Sequence, residues 1–304
     1  MTLHVHRLLR IERSVSDLAR AVAFYRDALG FTLVDETPMG GPGVRAHAAM
    51  LRLGEQAIEL TAFDPPGRAY PAGSHAADLW FQHFAIVVAD MEAAYERLCR
   101  HPSTAITAGG PQRLPPNTGS VTAFKFRDPD DHPLELIHFP SSTGDPAWQR
   151  RSGLFLGIDH SAIVVADVEK SLGFYTRLLG LDVSARSTNS GAAQARLDGL
   201  SAEVCVDVVA LQPRVPGPPH IELLGYQRPS GRPFPADVLP SDILADRLVL
   251  EVGDLSQLEQ RLEAGDIPFT PSAADTTDAG RRRTLTRDPT GHLLLFTQAC
   301  SASS

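Results

Sequence analysis

The chain has 304 residues, of which 43% are hydrophobic and 21% are charged, and its length suits two domains of ordinary size. Its 36 acidic residues outnumber its 28 lysines and arginines, and the net charge of -8 argues against nucleic acid as a partner. No apolar run is long enough to span a membrane, and the N-terminal segment lacks the features of a signal peptide, so the sequence predicts a cytoplasmic protein. The 3 cysteines lack CxxC spacing, which argues against disulfides and thiolate metal sites.

The first predicted elements form a βαβββ module. Asp17 has the position of a helix N-cap, because an apolar spacing typical of a helix follows it as far as Leu29. Gly30 is expected to end this helix, since a left-handed terminal residue is least costly as glycine. Strands are expected at residues 9–15, 31–35, 45–53 and 56–63.

The second module repeats this order of elements. Its predicted strand, helix and two later strands are residues 84–88, 90–99, 121–126 and 134–139. Between the helix and the later strands, residues 106–119 contain too many glycines and prolines for a regular element. Long loops of this kind often border a binding site.

Two further modules are predicted at residues 157–226 and 244–298. The third contains HSAIVVADVEKSLGFYTRLLGL from His160 onward, which aligns with RIERSVSDLARAVAFYRDALGF from Arg10 onward. The cap aspartates, the central tyrosines and the terminal glycines of the two helices coincide in this alignment. The chain is therefore an internal repeat, in which modules that cannot bury their own faces must find partners.

The irregular segments of the two halves match as well. Gly67-Arg68 aligns with Gly231-Arg232, and Asp78 aligns with Asp242. Because shared periodicity does not explain such a match, the sequence indicates duplication of a whole half. We predict one domain at residues 1–140 with modules 1–66 and 78–140, a linker at residues 141–153, and a second domain at residues 154–304 with modules 154–228 and 242–299.

These motifs resemble the vicinal oxygen chelate superfamily, which includes glyoxalase I, extradiol dioxygenases, and fosfomycin- and bleomycin-resistance proteins. The resemblance rests on the segments IDHSAIVVADVEKSLGFYTRLLGL, HFAIVVADM, FRDPDDHPLELIHF and RDPTGHLLLF. It implies an α+β fold, in which four βαβββ modules form two glyoxalase-like domains with cupped mixed sheets.

In this superfamily two modules close around a metal ion, and each supplies one ligand on its first strand and one on its last. The resemblance places these positions, in modules one to four, at Arg10 and Glu59, His83 and Glu135, His160 and Glu222, and Arg247 and Leu295. If modules pair within each half, as in extradiol dioxygenases, neither cup is complete. If the second pairs with the third, as in tandem glyoxalase I enzymes, their four ligands form one full site. We favour this exchanged pairing because the lost ligands then cluster in one vacant cup.

Two imidazoles and two carboxylates suit a divalent ion such as Zn, Ni, Co, Mn or Fe. Glu135 and Glu222 lie among apolar residues on predicted strands, where an unpaired carboxylate is costly and a metal ion would compensate it. Glu59 has the same context, but a structural ion pair with Arg10 or Arg247 is its expected role.

Other polar residues have less specific patterns. His132 and His292 follow Asp-Pro turns, so they are interpreted as hairpin residues. A solvated face is the expected role, and anchoring of an anionic substrate the alternative, for Arg113, Lys125, Arg186, Asn189 and Arg196. Nothing in the sequence singles out three histidines that could border a pocket, His47, His75 and His220.

The leading hypothesis is a metal-dependent lyase or isomerase resembling glyoxalase I, acting on a small molecule with vicinal oxygens through an enediolate. Either Glu135 or Glu222 would be the catalytic base, and the sequence does not distinguish them. An Fe(II) ring-cleaving dioxygenase is an alternative, opposed by Arg247 and Leu295 where tandem extradiol enzymes have His and Glu. A metal-free small-molecule binding or resistance protein is a second alternative. We expect a monomer or homodimer with no membrane partner, and glutathione as a co-substrate rests on the resemblance alone.

Overall fold

The computed structural model describes residues 3–41, 44–140, 143–200, 203–272 and 282–298. The strands are β1 (Val5–Val15), β2 (Thr32–Gly41), β3 (Val44–Leu53), β4 (Gln56–Asp64), β5 (Gln82–Val88), β6 (Thr104–Ala105), β7 (Gln112–Arg113), β8 (Thr122–Arg127), β9 (Pro133–His138), β10 (Phe155–Val164), β11 (Asp182–Ser190), β12 (Cys205–Gln212), β13 (His220–Arg228), β14 (Arg247–Val252), β15 (Phe269–Ser272), β16 (Arg283–Arg287) and β17 (Leu293–Gln298). The helices are α1 (Leu18–Leu29), α2 (Met91–Leu98), α3 (Pro146–Arg150), α4 (Val168–Leu172), α5 (Gly191–Leu197) and α6 (Leu255–Ala264). Among the described helices, none combines the length and apolar character needed to cross a membrane.

The sheets pair modules from different halves of the chain. An eight-stranded sheet contains the first and fourth modules, in the order β15-β16-β17-β14-β1-β4-β3-β2. A nine-stranded sheet contains the second and third, in the order β11-β12-β13-β10-β5-β9-β8-β6, with β7 also on β8. In each sheet the two modules meet through antiparallel first strands, β1 with β14 and β5 with β10. The exchanged pairing is therefore confirmed.

Parallel and antiparallel neighbours occur in both sheets. The first strand of each module runs parallel to its last strand, in the pairs β1/β4, β5/β9, β10/β13 and β14/β17. This order places the two predicted ligand positions of a module on adjacent strands. The predicted α+β class with mixed sheets is confirmed.

The module helices begin alike. Each follows an aspartate whose side chain accepts a backbone N–H of the first turn, at Asp17, Asp90, Asp167 and Asp254. α1 ends at Gly30 with a φ of 74°, the left-handed conformation predicted for it. The third module differs from the first. Its α-helix, α4, ends at Leu172, and a π-helical segment follows at Gly173–Leu178.

Two buried tyrosines connect the modules within each half. The hydroxyl of Tyr25 on α1 donates to Asp128 Oδ2 in the β8–β9 turn at 2.8 Å. The hydroxyl of Tyr175 donates to Asp288 Oδ2 in the β16–β17 turn at 3.1 Å. Since the sheets join modules across the halves and the tyrosines join them within the halves, each module is held by two neighbours.

The matched irregular segments of the two halves contact each other reciprocally. Arg68 binds Asp242 and Arg232 binds Asp78, each with an Nη2–Oδ2 distance of 2.7 Å. The approach is close at Gly231, where an ideal Cβ would lie 1.8 Å from the carbonyl oxygen of Ala77. The similarity seen in the sequence thus corresponds to a two-fold related pair of contacts.

The structure differs from the sequence prediction in two loops. Residues 106–119, expected to be irregular, contain the two-residue strand β7 and a 3₁₀ turn at Pro116–Thr118. In the third module, the unpredicted helix α5 follows β11 directly. α5 is important for the site because Asp198 comes immediately after it.

Candidate active site

Four residues at the predicted ligand positions lie together on the nine-stranded sheet. His83 on β5 and His160 on β10 are 2% and 4% exposed, and their ring centroids are 5.9 Å apart. In the parallel pairs β5/β9 and β10/β13, Glu135 lies opposite Ala85 and Glu222 lies opposite Ala162. These alanines are two residues after His83 and His160, so each carboxylate is on the same face of the sheet as its histidine. Two first strands and two last strands thereby direct two imidazoles and two carboxylates into one cup.

The distances in this cup suit metal ligands. The Nε2 atom of His83 lies 2.9 Å from Oε2 of Glu135, and ligand atoms of His83, Glu135 and His160 lie within 4.8 Å of one another. Metal–ligand bonds near 2.1 Å place neighbouring ligand atoms about 3 Å apart, so the spacing of these three residues is compatible with one shared ion. Glu222 is looser, with Oε2 3.5 Å from His160 Nε2 and a side chain that is 21% exposed. The donor set fits a divalent ion.

Lys125, for which a solvated face was expected, is instead buried beside these residues. Its Nζ lies 2.7 Å from Asp198 Oδ1 and 3.9 Å from Glu135 Oε2, and the residue is 4% exposed. Asp198 also accepts hydrogen bonds from Gln194 Nε2 at 2.7 Å and from the Tyr226 hydroxyl at 2.9 Å. The expectation was wrong because helix α5, which delivers Asp198, has no clear signal in the sequence.

The two carboxylates are held in their charged forms by different neighbours. Burial alone would raise the pKa of Glu135, but the hydrogen bond from His83 and the charge of Lys125 outweigh it, and the pKa is lowered. Burial is likewise opposed at Glu222, where the charge of His160 and the hydrogen bond of His220 lower the pKa to about 2. Both carboxylates are therefore ionised acceptors at neutral pH.

The two imidazoles are in unlike environments. Burial, and then the charge of Lys125, lower the pKa of His83. Burial is overcome at His160, whose pKa is raised to about 9 by the charge of Glu222 and by the hydrogen bond with Asp159. The Nδ1 atom of His83 is buried without a hydrogen-bond partner among the described residues, whereas Nδ1 of His160 lies 3.0 Å from Asp159 Oδ2.

His220 is a site residue that the sequence reasoning did not single out. It lies opposite His160 in the pairing of β10 with β13, and the ring centroids are 5.4 Å apart. Its Nε2 atom is 3.5 Å from Oε1 of Glu222. The spacing in HIE was the available signal, because residues two apart on a strand share one face.

A cavity of about 380 Å³ opens above these residues. Residues 117–119, from the loop expected to border a site, line it together with Arg186 and Asn189 of β11. Arg186 also pairs with Glu169 at 2.9 Å, where both side chains are largely exposed. Arg196 donates to Gln112 at 2.7 Å, and neither it nor Arg113 is among the residues that line the cavity.

The cup of the eight-stranded sheet contains buried ion pairs where the other cup has its imidazoles. Arg10 Nε lies 3.3 Å from Glu59 Oε2, as the sequence predicted for Glu59. Glu12, which was not predicted, lies 2.7 Å from Arg10 Nη2 and 3.1 Å from Arg247 Nε. Burial, and then the charge of Glu12, raise the pKa of Glu59 to about 7. Leu295 has an aliphatic side chain with no donor atom, so the fourth position offers no ligand.

The two histidines of the Asp-Pro turns have the expected structural role. His132 is fully buried, and its Nε2 lies 2.8 Å from the carbonyl oxygen of Ile243. His292 Nε2 lies 2.8 Å from the carbonyl oxygen of Val164. Both imidazoles therefore hydrogen-bond the backbone of a distant segment.

Comparison with known proteins relates this architecture to one family. The family model described as the Glyoxalase/Bleomycin resistance protein/Dioxygenase superfamily matches residues 7–136 and 157–296. A curated relative, "Lactoylglutathione lyase GLX1" of Arabidopsis thaliana, is 27% identical over 179 residues, which are 58% of this chain and 55% of that protein. The chain thus spans only about half the length of this relative.

Two solved structures share the fold. Glyoxalase I from Zea mays has a TM-score of 0.66 at 17% identity, over 96% of this chain and 92% of that chain. A putative dioxygenase from Bacillus subtilis has a TM-score of 0.60 at 15% identity, over 99% of this chain and 87% of that chain. Because the family model matches most of the chain, the chain belongs to the glyoxalase/bleomycin resistance protein/dioxygenase superfamily.

Proposed function

We propose that the chain is a metal-dependent enzyme of the glyoxalase I type, with lyase or isomerase activity on a small substrate that has vicinal oxygens. The observation that carries the proposal is the convergence of His83, Glu135, His160 and Glu222, from two modules, beneath one cavity. These four residues would hold the ion. When bound, the ion would supply Lewis-acid polarisation of a substrate carbonyl.

We assign the role of catalytic base to Glu222 in preference to Glu135. Glu135 is held by His83 at 2.9 Å and faces the ammonium of Lys125, whereas Glu222 has contacts of 3.5 Å and a more exposed side chain. A carboxylate with looser contacts can reach a substrate proton with less reorganisation. Glu222 would take the proton from the carbon beside the carbonyl and return it to the neighbouring carbon, and an enediolate would lie between the two transfers.

Metal binding by single variants tests the site. We expect His83→Ala and His160→Ala each to abolish tight binding of Co²⁺ or Zn²⁺, because each loses one of four ligands. His47→Ala is the matched control, since it removes an exposed imidazole from the other sheet. If His160→Ala bound metal as tightly as the natural protein, the four-ligand site would be wrong. If the natural protein bound none, a metal-free binding protein would be favoured.

A ring-cleaving dioxygenase is the second candidate, because His220 adds a third imidazole. His160, His220 and Glu222 together are the two-histidine, one-carboxylate set typical of non-haem Fe(II) oxygenases. Oxygen uptake with a catechol and ferrous ion would support this reaction. Isomerisation of a hemithioacetal without oxygen uptake would support the first.

A further inference from the structure

The two histidines of the cup differ in what supports them. His83 has no partner for Nδ1 among the described residues, while His160 has Asp159 at 3.0 Å. The other oxygen of Asp159 accepts a hydrogen bond from the indole Nε1 of Trp148 at 3.0 Å. Trp148 belongs to α3, in the segment that the sequence predicted to be a linker.

A bulge in β10 explains how consecutive residues can both serve the site. In a regular strand, Asp159 and His160 would point to opposite faces of the sheet. The pairing of β10 with β5 shifts register between Ile158 and His160. Such an extra residue re-aims the side chains beside it, and both Asp159 and His160 line the cavity.

The linker is docked firmly enough to hold this position. Trp148 is 5% exposed and packs in an apolar cluster with Leu156 of β10 and Ile137 of β9. The guanidinium of Arg151 lies 4.7 Å from the Trp148 ring and donates at 2.9 Å to the carbonyl oxygen of Leu156 and to Gln56 Oε1. The linker is therefore fixed to β10 on one side and to the first module on the other.

We propose that Trp148 is a positioning residue of the metal site, acting through Asp159 on His160. This inference rests on the proposed function. The indole N–H can only donate, so it holds one carboxylate oxygen and leaves the other to accept from His160 Nδ1. That hydrogen bond fixes the imidazole with Nε2 directed at Glu222.

The Trp148 hydrogen bond is needed to orient Asp159 because a second histidine competes for its carboxylate. Asp159 Oδ2 lies 4.0 Å from His220 Nδ1 as well as 3.0 Å from His160 Nδ1. Without the Trp148 hydrogen bond, Asp159 is free to turn toward His220. We expect His160 then to lose its fixed orientation.

The chain offers a matched control, because it has 2 tryptophans. Trp80 is also buried, at 4% exposure, and its Nε1 donates to Ser74 Oγ at 3.1 Å, but it does not line the cavity. Trp148→Phe and Trp80→Phe each keep an aromatic ring and lose one N–H donor. Asp159→Asn removes the carboxylate between Trp148 and His160.

The first measurement is the affinity and visible spectrum of Co²⁺ in the full-length protein. Trp148→Phe and Asp159→Asn are expected to weaken Co²⁺ binding by about 10- to 100-fold and to change the spectrum, as is usual for residues that orient a ligand. Trp80→Phe should leave both unchanged. If Trp148→Phe binds Co²⁺ within about twofold of the natural protein with the same spectrum, the positioning role is refuted.

The second measurement does not depend on metal. The His160 Nδ1–H should give a downfield proton NMR signal in the metal-free protein, identified by its absence in His160→Ala. We expect Asp159→Asn to abolish it and Trp148→Phe to shift or broaden it. If Co²⁺ fails to bind the natural protein but these changes occur, the proposed function fails, while the orientation of His160 by Trp148 through Asp159 stands. An unchanged signal in Trp148→Phe overturns that role.

Discussion

The buried Lys125–Asp198 pair gives a prediction in which stability and metal affinity change in opposite directions. Lys125→Met keeps most of the side-chain length and removes the ammonium that lies 2.7 Å from Asp198 and 3.9 Å from Glu135. Removing one partner of a buried pair leaves an uncompensated charge and costs about 3 to 5 kcal/mol. Asp198 keeps its hydrogen bonds from Gln194 and Tyr226, so we expect a loss near the lower end, about 3 kcal/mol.

The double variant Lys125→Met/Asp198→Asn provides the control for this cost. With both charges gone, the buried site holds a neutral amide that still meets the Tyr226 hydroxyl. We expect it to be more stable than Lys125→Met alone, with a coupling of more than 1 kcal/mol, on the order usual for contacting charges. Urea unfolding of the four proteins of the cycle, with a chelator present, measures these free energies.

Metal affinity should move the other way. The ammonium of Lys125 lies 3.9 Å from Glu135, a proposed ligand, and opposes the binding of a divalent cation there, so Lys125→Met should bind Co²⁺ more tightly. The reasoning is refuted if Lys125→Met loses less than about 1 kcal/mol of stability, or if the two substitutions are additive. Weaker Co²⁺ binding by a folded Lys125→Met would refute the electrostatic part alone.

Three further predictions concern the rest of the chain. The pKa of Glu59 is raised to about 7 in the folded state, from an ordinary value of 4.5. Between these two pH values the folded state keeps a proton that the unfolded state loses, so the contribution of Glu59 makes the protein less stable as the pH rises from 4.5 to 7. Glu59→Gln should remove this pH dependence, so that its free energy of unfolding rises by up to about 3 kcal/mol relative to that of the natural protein between pH 4.5 and 8. Parallel profiles of unfolding free energy against pH for the two proteins would contradict this prediction. Gly231→Ala should unfold at a markedly lower urea concentration, because its Cβ would clash with the Ala77 carbonyl oxygen. The control Gly253→Ala should lose little stability, because its Cβ would meet only the His6 ring, at 3.3 Å. Co²⁺ at 100 times its Kd should stabilise the natural protein by about 2.7 kcal/mol and leave His160→Ala unchanged, as thermal unfolding would show.

Much of the fold follows from local patterns that the sequence contains. The aspartate caps, Gly30 and the apolar periods predict the module helices and strands, because those features act within a few residues of the chain. The pairing of modules was predicted differently, from the unequal loss of His and Glu among the copies. The strand order agrees with that reasoning, because the second and third modules share one sheet.

The missed parts of the site depend on contacts between distant segments. Lys125 is buried only because Asp198 arrives from α5, 73 residues later in the chain. Asp159 reaches the site through a bulge, and a strict period of two assigns it to the wrong face. Trp148 lies in the segment predicted to be a linker, yet its indole is buried and packs against β9 and β10.

The exchange of modules between halves has a consequence for how the two cups could diverge. If each half were a separate chain, two identical copies would form a swapped dimer with two identical cups, and any substitution would appear in both. Joining the halves through α3 makes their association intramolecular, so its strength no longer depends on protein concentration. It also makes the cups genetically distinct. One cup can therefore hold the ion pairs of Arg10, Glu12 and Arg247 while the other holds His83 and His160.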